Sequence, residues 1–193
     1  MTQVGHTLTG IALGAASAPR DATPGRIALH LVCFALLANM PDLPFPGWGH
    51  DAYHISHSVF VNLALIGLLL IVVIAAWGRI RKMVEHHVVI AGIVAWLSHL
   101  LLDSFYNHGR GVAIFWPFSQ ARLALPIPWF SAVSGSPLRL DSYTLRACAV
   151  EFACYLPLVL LAIGVRQLAL RRVSKRTRPA RPPSGPGRVG GGC

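Results

Sequence analysis

The chain has 193 residues, of which 54% are hydrophobic and 12% are charged, and its mean hydropathy is +0.55. Soluble domains carry about 25% charged residues, so the composition excludes an ordinary soluble domain and indicates a single-domain membrane protein. The net charge of +10 does not gather on a folded face, and nucleic acid is therefore not an expected partner.

Two short apolar stretches open the chain, at residues 6–18 and 26–40. The segment between them, "APRDATPGR", has the proline, glycine and charge of a tight turn. Each stretch is shorter than the roughly 20 residues that cross a bilayer core. We expect a helical hairpin that either spans with tilt and local thinning or packs inside the bundle.

Three longer apolar stretches follow. Residues 58–77 carry no charge, residues 86–105 contain His99 and Asp103 near their end, and residues 146–170 contain Glu151 and Pro157. Each is long enough to cross the hydrocarbon core, and proline is tolerated in membrane helices. The sequence therefore predicts an all-α polytopic membrane bundle with five membrane-associated helices.

The basic residues predict the orientation of this bundle. If the turn at 20–26, the loop at 78–82 and the chain after Arg166 share one side, thirteen of the seventeen Lys and Arg residues lie there. By the positive-inside rule that side is the cytoplasm. Most of the remaining ionisable residues then fall at the extracytoplasmic face, with His99 one turn deeper: His6, Asp42, His50, Asp51, His54, His57, Asp103 and His108.

The end of the chain differs in composition from the rest. Residues 171–193, "RRVSKRTRPARPPSGPGRVGGGC", are rich in arginine, proline and glycine and bury too little apolar surface to fold. We expect a membrane domain over residues 1–170 and a disordered basic cytoplasmic tail over 171–193. Anionic lipid headgroups attract such tails by about 1 kcal/mol per basic residue.

Ionisable residues within a membrane segment usually mark a functional site. His99 and Asp103 are four residues apart and face one point from one side of a helix. Asp42 follows a helix end in "NMPDLPFPG", and His57 begins the next helix in "YHISHS". Two imidazoles and two carboxylates from three segments form a first shell for Zn²⁺, or for Mn²⁺ or Fe²⁺ at higher coordination.

Structural roles are the alternative for each of these side chains. His99 and Asp103 would then form an interhelical hydrogen-bonded pair, as buried polar groups do in membrane bundles. Asp42 would stabilise the turn after a proline, and His57 would cap the following helix together with Ser58. These explanations would have to coincide at one face of the membrane.

Five motifs, "GHTLTG", "MPDLP", "HISHS", "SHLLLD" and "WPFS", occur in the order found in bacterial inner-membrane proteins of the YdjM type, which this chain resembles over residues 1–170. That family is usually described as metal-dependent hydrolases. Its ligand order is similar to that of the zinc-dependent phospholipase C and P1 nuclease superfamily, which hydrolyses phosphoesters. The resemblance implies His6 as an early metal ligand, followed by Asp42, His57, His99 and Asp103.

The chain also departs from this family. Ala52, Tyr53 and His54 stand where the family usually has "HRG", so a phosphate-holding arginine is missing. The further ligands of a three-zinc cluster have only His108 and Glu151 as nearest counterparts. The resemblance therefore implies one or two ions, with Asp103 able to bridge two.

The implied reaction is hydrolysis of a lipid or lipid-linked phosphoester by a metal-activated water. His54 is the predicted acid/base group because imidazole titrates near neutral pH, and Arg110 and Arg122 are predicted to hold anionic oxygens. The alternative is a non-catalytic membrane protein whose polar cluster binds, senses or transports metal or only stabilises the bundle. No polar path crosses residues 66–74, which favours hydrolysis over transport.

Overall fold

The apolar stretches of the sequence form helices in the computed structural model, which describes residues 3–43, 53–76, 85–105, 111–125 and 142–176. In these ranges the helices are α1 (Gln3–Ser17), α2 (Pro24–Asn39), a 3₁₀ turn (Met40–Asp42), α3 (Tyr53–Ser56), α4 (Val59–Ala75), α5 (His86–Phe105) and α6 (Ser142–Arg176). Over the same ranges the only β pairing is a single antiparallel bridge between Val112 and Leu123. The predicted all-α membrane bundle is confirmed.

Polar side chains set where two of the helices begin. The Thr23 hydroxyl accepts a hydrogen bond from the backbone N–H of Arg26, and Pro24 occupies the first turn of α2. The Ser58 hydroxyl accepts from the N–H of Val61 at the start of α4. Side-chain oxygens at these positions satisfy backbone donors that the first helical turn leaves unpaired.

Three helical segments are long and apolar enough to cross a membrane: Pro24–Asp42, His86–Phe105 and Thr144–Arg172. The 3₁₀ turn lengthens the second helix to nineteen residues, which the sequence prediction of a short stretch at 26–40 missed. Conversely, α4 has 17 residues and is shorter than the span predicted at 58–77. The reason is that Ser58 caps the helix instead of belonging to it, and helical structure ends at Ala75.

The bundle exposes many apolar side chains and buries several polar ones. Leu29, Leu68 and Ile71 are each more than half exposed, whereas the largest fully buried side chains are histidine, asparagine and serine. Lipid tails solvate exposed leucine and isoleucine, but a polar side chain facing them would lose its hydrogen bonds. This distribution is the one expected of helices whose surroundings are hydrocarbon.

Helix α1 lies inside the bundle, where it packs against α2, α5 and α6. A Cβ atom on Gly10 would overlap the carbonyl oxygen of Phe34, so the α1 and α2 backbones approach as closely as glycine allows. On its other side Leu8 and Ala12 pack against Val159 of α6. Of the two arrangements open for this short segment, packing inside the bundle is the one the structure contains.

Two segments complete the described structure. Residues 111–125 lie at one end of the bundle, where the N–H of Val59 donates to the carbonyl of Ile114 and the N–H of Leu125 donates to that of Ser104. At the other end α6 continues to Arg176, so the expected disorder from residue 171 is wrong for 171–176, where helix α6 persists. Residues 177–193 lie outside the described residues.

Candidate metal centre

Four ionisable side chains converge where α2, α4 and α5 meet. Asp42 comes from the 3₁₀ turn after α2, His57 from the junction of α3 and α4, and His99 and Asp103 from successive turns of α5. One nitrogen or oxygen atom from each lies within 4.8 Å of those of the other three. The structure therefore brings together the four side chains that the residue pattern selected as metal ligands, and this cluster can hold a metal ion.

The spacing of these atoms matches a coordination shell. Nε2 of His57 lies 3.3 Å from Asp42 Oδ1, 3.1 Å from Asp103 Oδ2 and 3.3 Å from Nε2 of His99. Nε2 of His99 lies 3.4 Å from Asp42 Oδ1 and 3.5 Å from Asp103 Oδ2. Tetrahedral Zn²⁺ with bonds of about 2.0–2.1 Å places its ligands about 3.3–3.4 Å apart. Five of the six pairs thus have the separations that such a shell requires.

The hydrogen bond on the far side of His99 fixes which of its ring nitrogens can bind a cation. Nδ1 lies 2.8 Å from the carbonyl oxygen of Ala38, and a carbonyl only accepts, so Nδ1 carries the proton. In the neutral ring, Nε2 is then unprotonated, and its lone pair faces two carboxylate oxygens and another imidazole. A set of acceptors this close together requires a cation between them, either a proton or a metal ion.

The surroundings of His57 also favour a cation at the cluster. Its ring is 1% exposed, and burial lowers its pKa, but hydrogen bonds with Asp103 and Asp42 outweigh burial and raise the pKa above the ordinary value. The two carboxylates therefore create a negative potential at Nε2 of this ring. Its Nδ1 lies 2.7 Å from the hydroxyl of Ser56, which orients the ring towards the cluster.

Asn62 holds the backbone on both sides of His57. Its side-chain amide donates to the carbonyls of Ser56 at 2.7 Å and Ser58 at 2.8 Å, and its oxygen accepts from Nε1 of Trp96 at 2.7 Å. Trp96 lies on α5 one turn before His99, so this contact couples the two histidine-bearing elements. The sequence analysis did not select Asn62, although an asparagine within an otherwise apolar stretch is a signal that could have found it.

Glu151 holds the amino-terminal end of α1 by a hydrogen bond to its backbone. Its carboxylate accepts from the N–H of Gly5 at 3.1 Å and is 2% exposed. The negative charge thus lies at the amino-terminal end of the helix, where backbone N–H groups are unpaired and the helix dipole is positive. Glu151 was the nearest counterpart for an additional metal ligand, and the structure places it against the helix that carries His6.

His6 lies beside the cluster but is not one of its four members. Its Nε2 is 3.1 Å from Asp103 Oδ1, and its ring stacks on that of His99 with centroids 3.7 Å apart. The two oxygens of Asp103 therefore have different neighbours, because Oδ1 faces His6 while Oδ2 faces His57 and His99. The resemblance implied His6 as an early metal ligand, and in the structure α1 brings its ring to Oδ1 of Asp103, next to the four-residue cluster.

Two further predicted site residues, His54 and Arg122, are not members of the cluster. The ring of His54 stands edge-on to Trp116 with centroids 5.3 Å apart, and Nη1 of the exposed Arg122 donates to the carbonyl of Gly111. In the part of the chain that the structure describes, no hydrogen bond or ion pair joins either of them to the cluster. Arg110 lies outside the described residues, as do His50, Asp51 and His108.

Of the four side chains in the cluster, that of Asp42 is the most exposed. The side chain of Asp42 is 28% exposed, whereas those of His57, His99 and Asp103 are at most 5% exposed. A small molecule therefore reaches the cluster past Asp42. That side is also where the candidate spans Pro24–Asp42 and His86–Phe105 end.

Comparison with known proteins places the chain in a family. No curated protein and no solved structure matches it. A family model described as YdjM inner membrane protein matches residues 1–173, which include all four members of the cluster and every described helix up to the last residues of α6. The chain, a helical membrane protein with a buried cluster able to hold a metal ion, belongs to the YdjM inner membrane protein family.

Proposed function

We propose that the protein is a membrane-embedded, metal-dependent hydrolase that cleaves a phosphoester of a lipid or lipid-linked substrate. One observation carries this proposal: two carboxylates and two imidazoles, spaced as a coordination shell, lie buried among apolar helices with access past one of them. A pair of residues that only joined two helices by a hydrogen bond would not need four acceptor atoms to face one another.

The donor set fits a divalent ion. With both imidazoles neutral the cluster carries two negative charges, one from each aspartate, which a doubly charged cation neutralises. Nitrogen and carboxylate ligands suit Zn²⁺ best, and Mn²⁺ or Fe²⁺ if more ligands join. When bound, such an ion lowers the pKa of a coordinated water and polarises a phosphoryl oxygen. We propose one ion at this cluster, with Asp103 Oδ1 and His6 as the place for a second.

The residues around the cluster then have distinct tasks. His57 and His99 present fixed Nε2 atoms because their Nδ1 atoms are engaged. Asp42, on the open side, is the carboxylate nearest to an entering water and substrate. We propose His54 as the proton acceptor, because it is partly exposed and lies on the short helix that leads into His57.

The position of the cluster along the helices supports a lipid substrate. Two candidate spans end at the cluster, and membrane spans end near the level of the headgroups. The phosphate of a lipid at that level is within reach of the site while the acyl chains of the lipid stay in the bilayer. We propose Arg122 and Arg110 as groups that hold its oxygens, and, from the distribution of basic residues, an extracytoplasmic site with the carboxyl terminus in the cytoplasm.

The experiment is metal analysis combined with an activity screen on the full chain in mild detergent. We expect about one or two divalent ions per wild-type chain, and phosphate or phosphomonoester release from a panel of phospholipids and polyprenyl phosphates. Asp103→Asn should lose both, and Asp21→Asn, an exposed aspartate in the turn before α2, is the matched control that should lose neither. Wild type without metal would refute the metal centre.

Two other outcomes would distinguish the hydrolase from a non-catalytic membrane protein. Metal bound stoichiometrically, with no release from any substrate of the panel after loading with Zn²⁺, Mn²⁺ or Fe²⁺, would indicate a non-catalytic metal-binding protein. If substitution of each of the four cluster residues left metal binding unchanged, the cluster would only join the helices.

A further inference from the structure

The half of the bundle away from the metal cluster contains a cavity of about 1280 Å³. It lies between α2, α4 and α5 and extends to the carboxyl-terminal half of α6. Its inner end is formed by Trp96, the residue that hydrogen-bonds Asn62 below the cluster. From Trp96 the cavity runs towards the end of the bundle that carries the α1–α2 turn.

The walls of the cavity are apolar over a depth comparable to one leaflet. Leu37 from α2, Ile66 and Leu70 from α4, and Ile93 from α5 all line it. The α5 wall extends from His87 to Trp96, which is about 13 Å of helix at 1.5 Å per residue. Half of a hydrocarbon core of about 30 Å is about 15 Å. An acyl chain of one leaflet therefore fits along this wall.

The mouth of the cavity is basic. Arg20, Arg26 and Arg166 line it together with two acidic residues, Asp21 and Glu85, and Glu85 is already paired with His87 at 3.2 Å. Nη2 of Arg166 donates to the carbonyl of Pro19, whereas its buried Nε has no acceptor within the described residues. The guanidinium therefore still has donors for an anion, and phosphate oxygens are the acceptors that arginine binds best.

We propose that this cavity binds one anionic phospholipid, with its phosphate at Arg20, Arg26 and Arg166 and an acyl chain along the wall that ends at Trp96. The lipid fills the space between α2 and α4 and so holds α4 against the rest of the bundle. A free phosphate would use the same arginines but would leave the apolar walls uncovered. The site is independent of the metal centre and of the proposed hydrolase activity.

Binding to the full chain in neutral detergent tests the proposal by native mass spectrometry and thermal unfolding. Phosphatidylglycerol is the probe, with phosphatidylcholine and inorganic phosphate as the two comparison ligands. We expect one phosphatidylglycerol per chain to be retained and to raise Tm, while phosphatidylcholine binds at least about fivefold more weakly and inorganic phosphate leaves Tm unchanged. Equal binding of the two phospholipids, or an equal rise in Tm with inorganic phosphate, would overturn it.

Matched variants locate the site. Arg26→Gln and Arg166→Gln should each weaken phosphatidylglycerol binding about fivefold, whereas Arg172→Gln, on α6 beyond the cavity, should not. Leu69→Trp should block the wall that binds the acyl chain. Leu68 points outwards and is 59% exposed, so Leu68→Trp should leave lipid binding intact. Arg26 is exposed, so its variant remains informative if Arg166→Gln fails to fold. Equal losses in Arg172→Gln and Arg26→Gln would indicate non-specific attraction and refute the site.

Discussion

Asn62 offers the sharpest test of how the bundle builds its metal centre. Its side chain binds no metal, yet it hydrogen-bonds the carbonyls that precede and follow His57 and accepts from Trp96 on the neighbouring helix. Asn62→Ala removes all three hydrogen bonds and leaves the four ligands unchanged. If the centre depends on this support, the variant will bind metal more weakly although it retains every ligand.

The magnitude follows from the number of hydrogen bonds lost. A hydrogen bond between membrane helices contributes about 0.6 kcal/mol on average, and buried ones in general about 1 kcal/mol. Three such bonds correspond to about 2–3 kcal/mol, and 1.4 kcal/mol is a factor of ten in affinity. We therefore expect Asn62→Ala to weaken Zn²⁺ binding about 10- to 100-fold, the range found when groups that orient metal ligands are removed. Trp96→Phe, which removes only one of the three bonds, should weaken it less than about tenfold.

Competition between the protein and a chromophoric chelator measures these affinities in detergent. Leu63→Ala is the matched control, because Leu63 is the next residue on α4 and is 48% exposed towards the outside. The double variant Asn62→Ala with Trp96→Phe should bind no more weakly than Asn62→Ala alone, since both remove the same contact. An Asn62→Ala protein that binds Zn²⁺ like Leu63→Ala would refute the idea that Asn62 positions His57.

Three further perturbations have defined expectations. Gly10→Leu should lower Tm by several degrees, at about 2–4 °C per kcal/mol for a chain of this length, because a Cβ there meets the Phe34 carbonyl. Gly67→Leu, with open space around it, should leave Tm unchanged. Glu151→Leu should destabilise α1 by about 1–3 kcal/mol and Glu151→Gln by less, measured by hydrogen exchange in α1. Zn²⁺ binding should weaken from about pH 8 to about pH 6, because only neutral imidazole binds metal; calorimetry that finds the same affinity at both values would contradict this.

The four members of the cluster could be predicted from sequence because local signals marked each one. The spacing of His99 and Asp103 fixes them on one helical face, and Asp42 and His57 follow helix ends. Asn62 and Glu151 stand out as polar residues in apolar stretches, but their roles could not be predicted, since these depend on Trp96 and Gly5, which are 34 and 146 residues away. Spacing along one helix predicts which side chains share a face, but not which partner from another helix that face meets.

The helix boundaries show the same limit. Hydropathy predicted that residues 58–77 form a span and that 26–40 are too short, whereas the structure has 17 residues in α4 and a nineteen-residue segment ending at Asp42. In both cases a single polar or proline-containing turn decides the length: Ser58 caps α4, and the 3₁₀ turn at Met40–Asp42 continues α2. Hydropathy averages over a window and is insensitive to such turns.

The candidate metal centre and the packing of the bundle involve the same contacts. α1 is the least favourable membrane helix by length, yet it occupies the centre, held by the close approach at Gly10, the carboxylate of Glu151 and the contact from His6 to Asp103. The buried carboxylate of Asp103, with the partly exposed one of Asp42 beside it, would be costly here without a cation. A bound divalent ion would remove that cost and would join the 3₁₀ turn, the α3–α4 junction and α5, while His6 contacts the carboxylate of Asp103 from α1. The burial that favours a cation at the cluster would therefore also make a bound cation part of what holds the short helices in place.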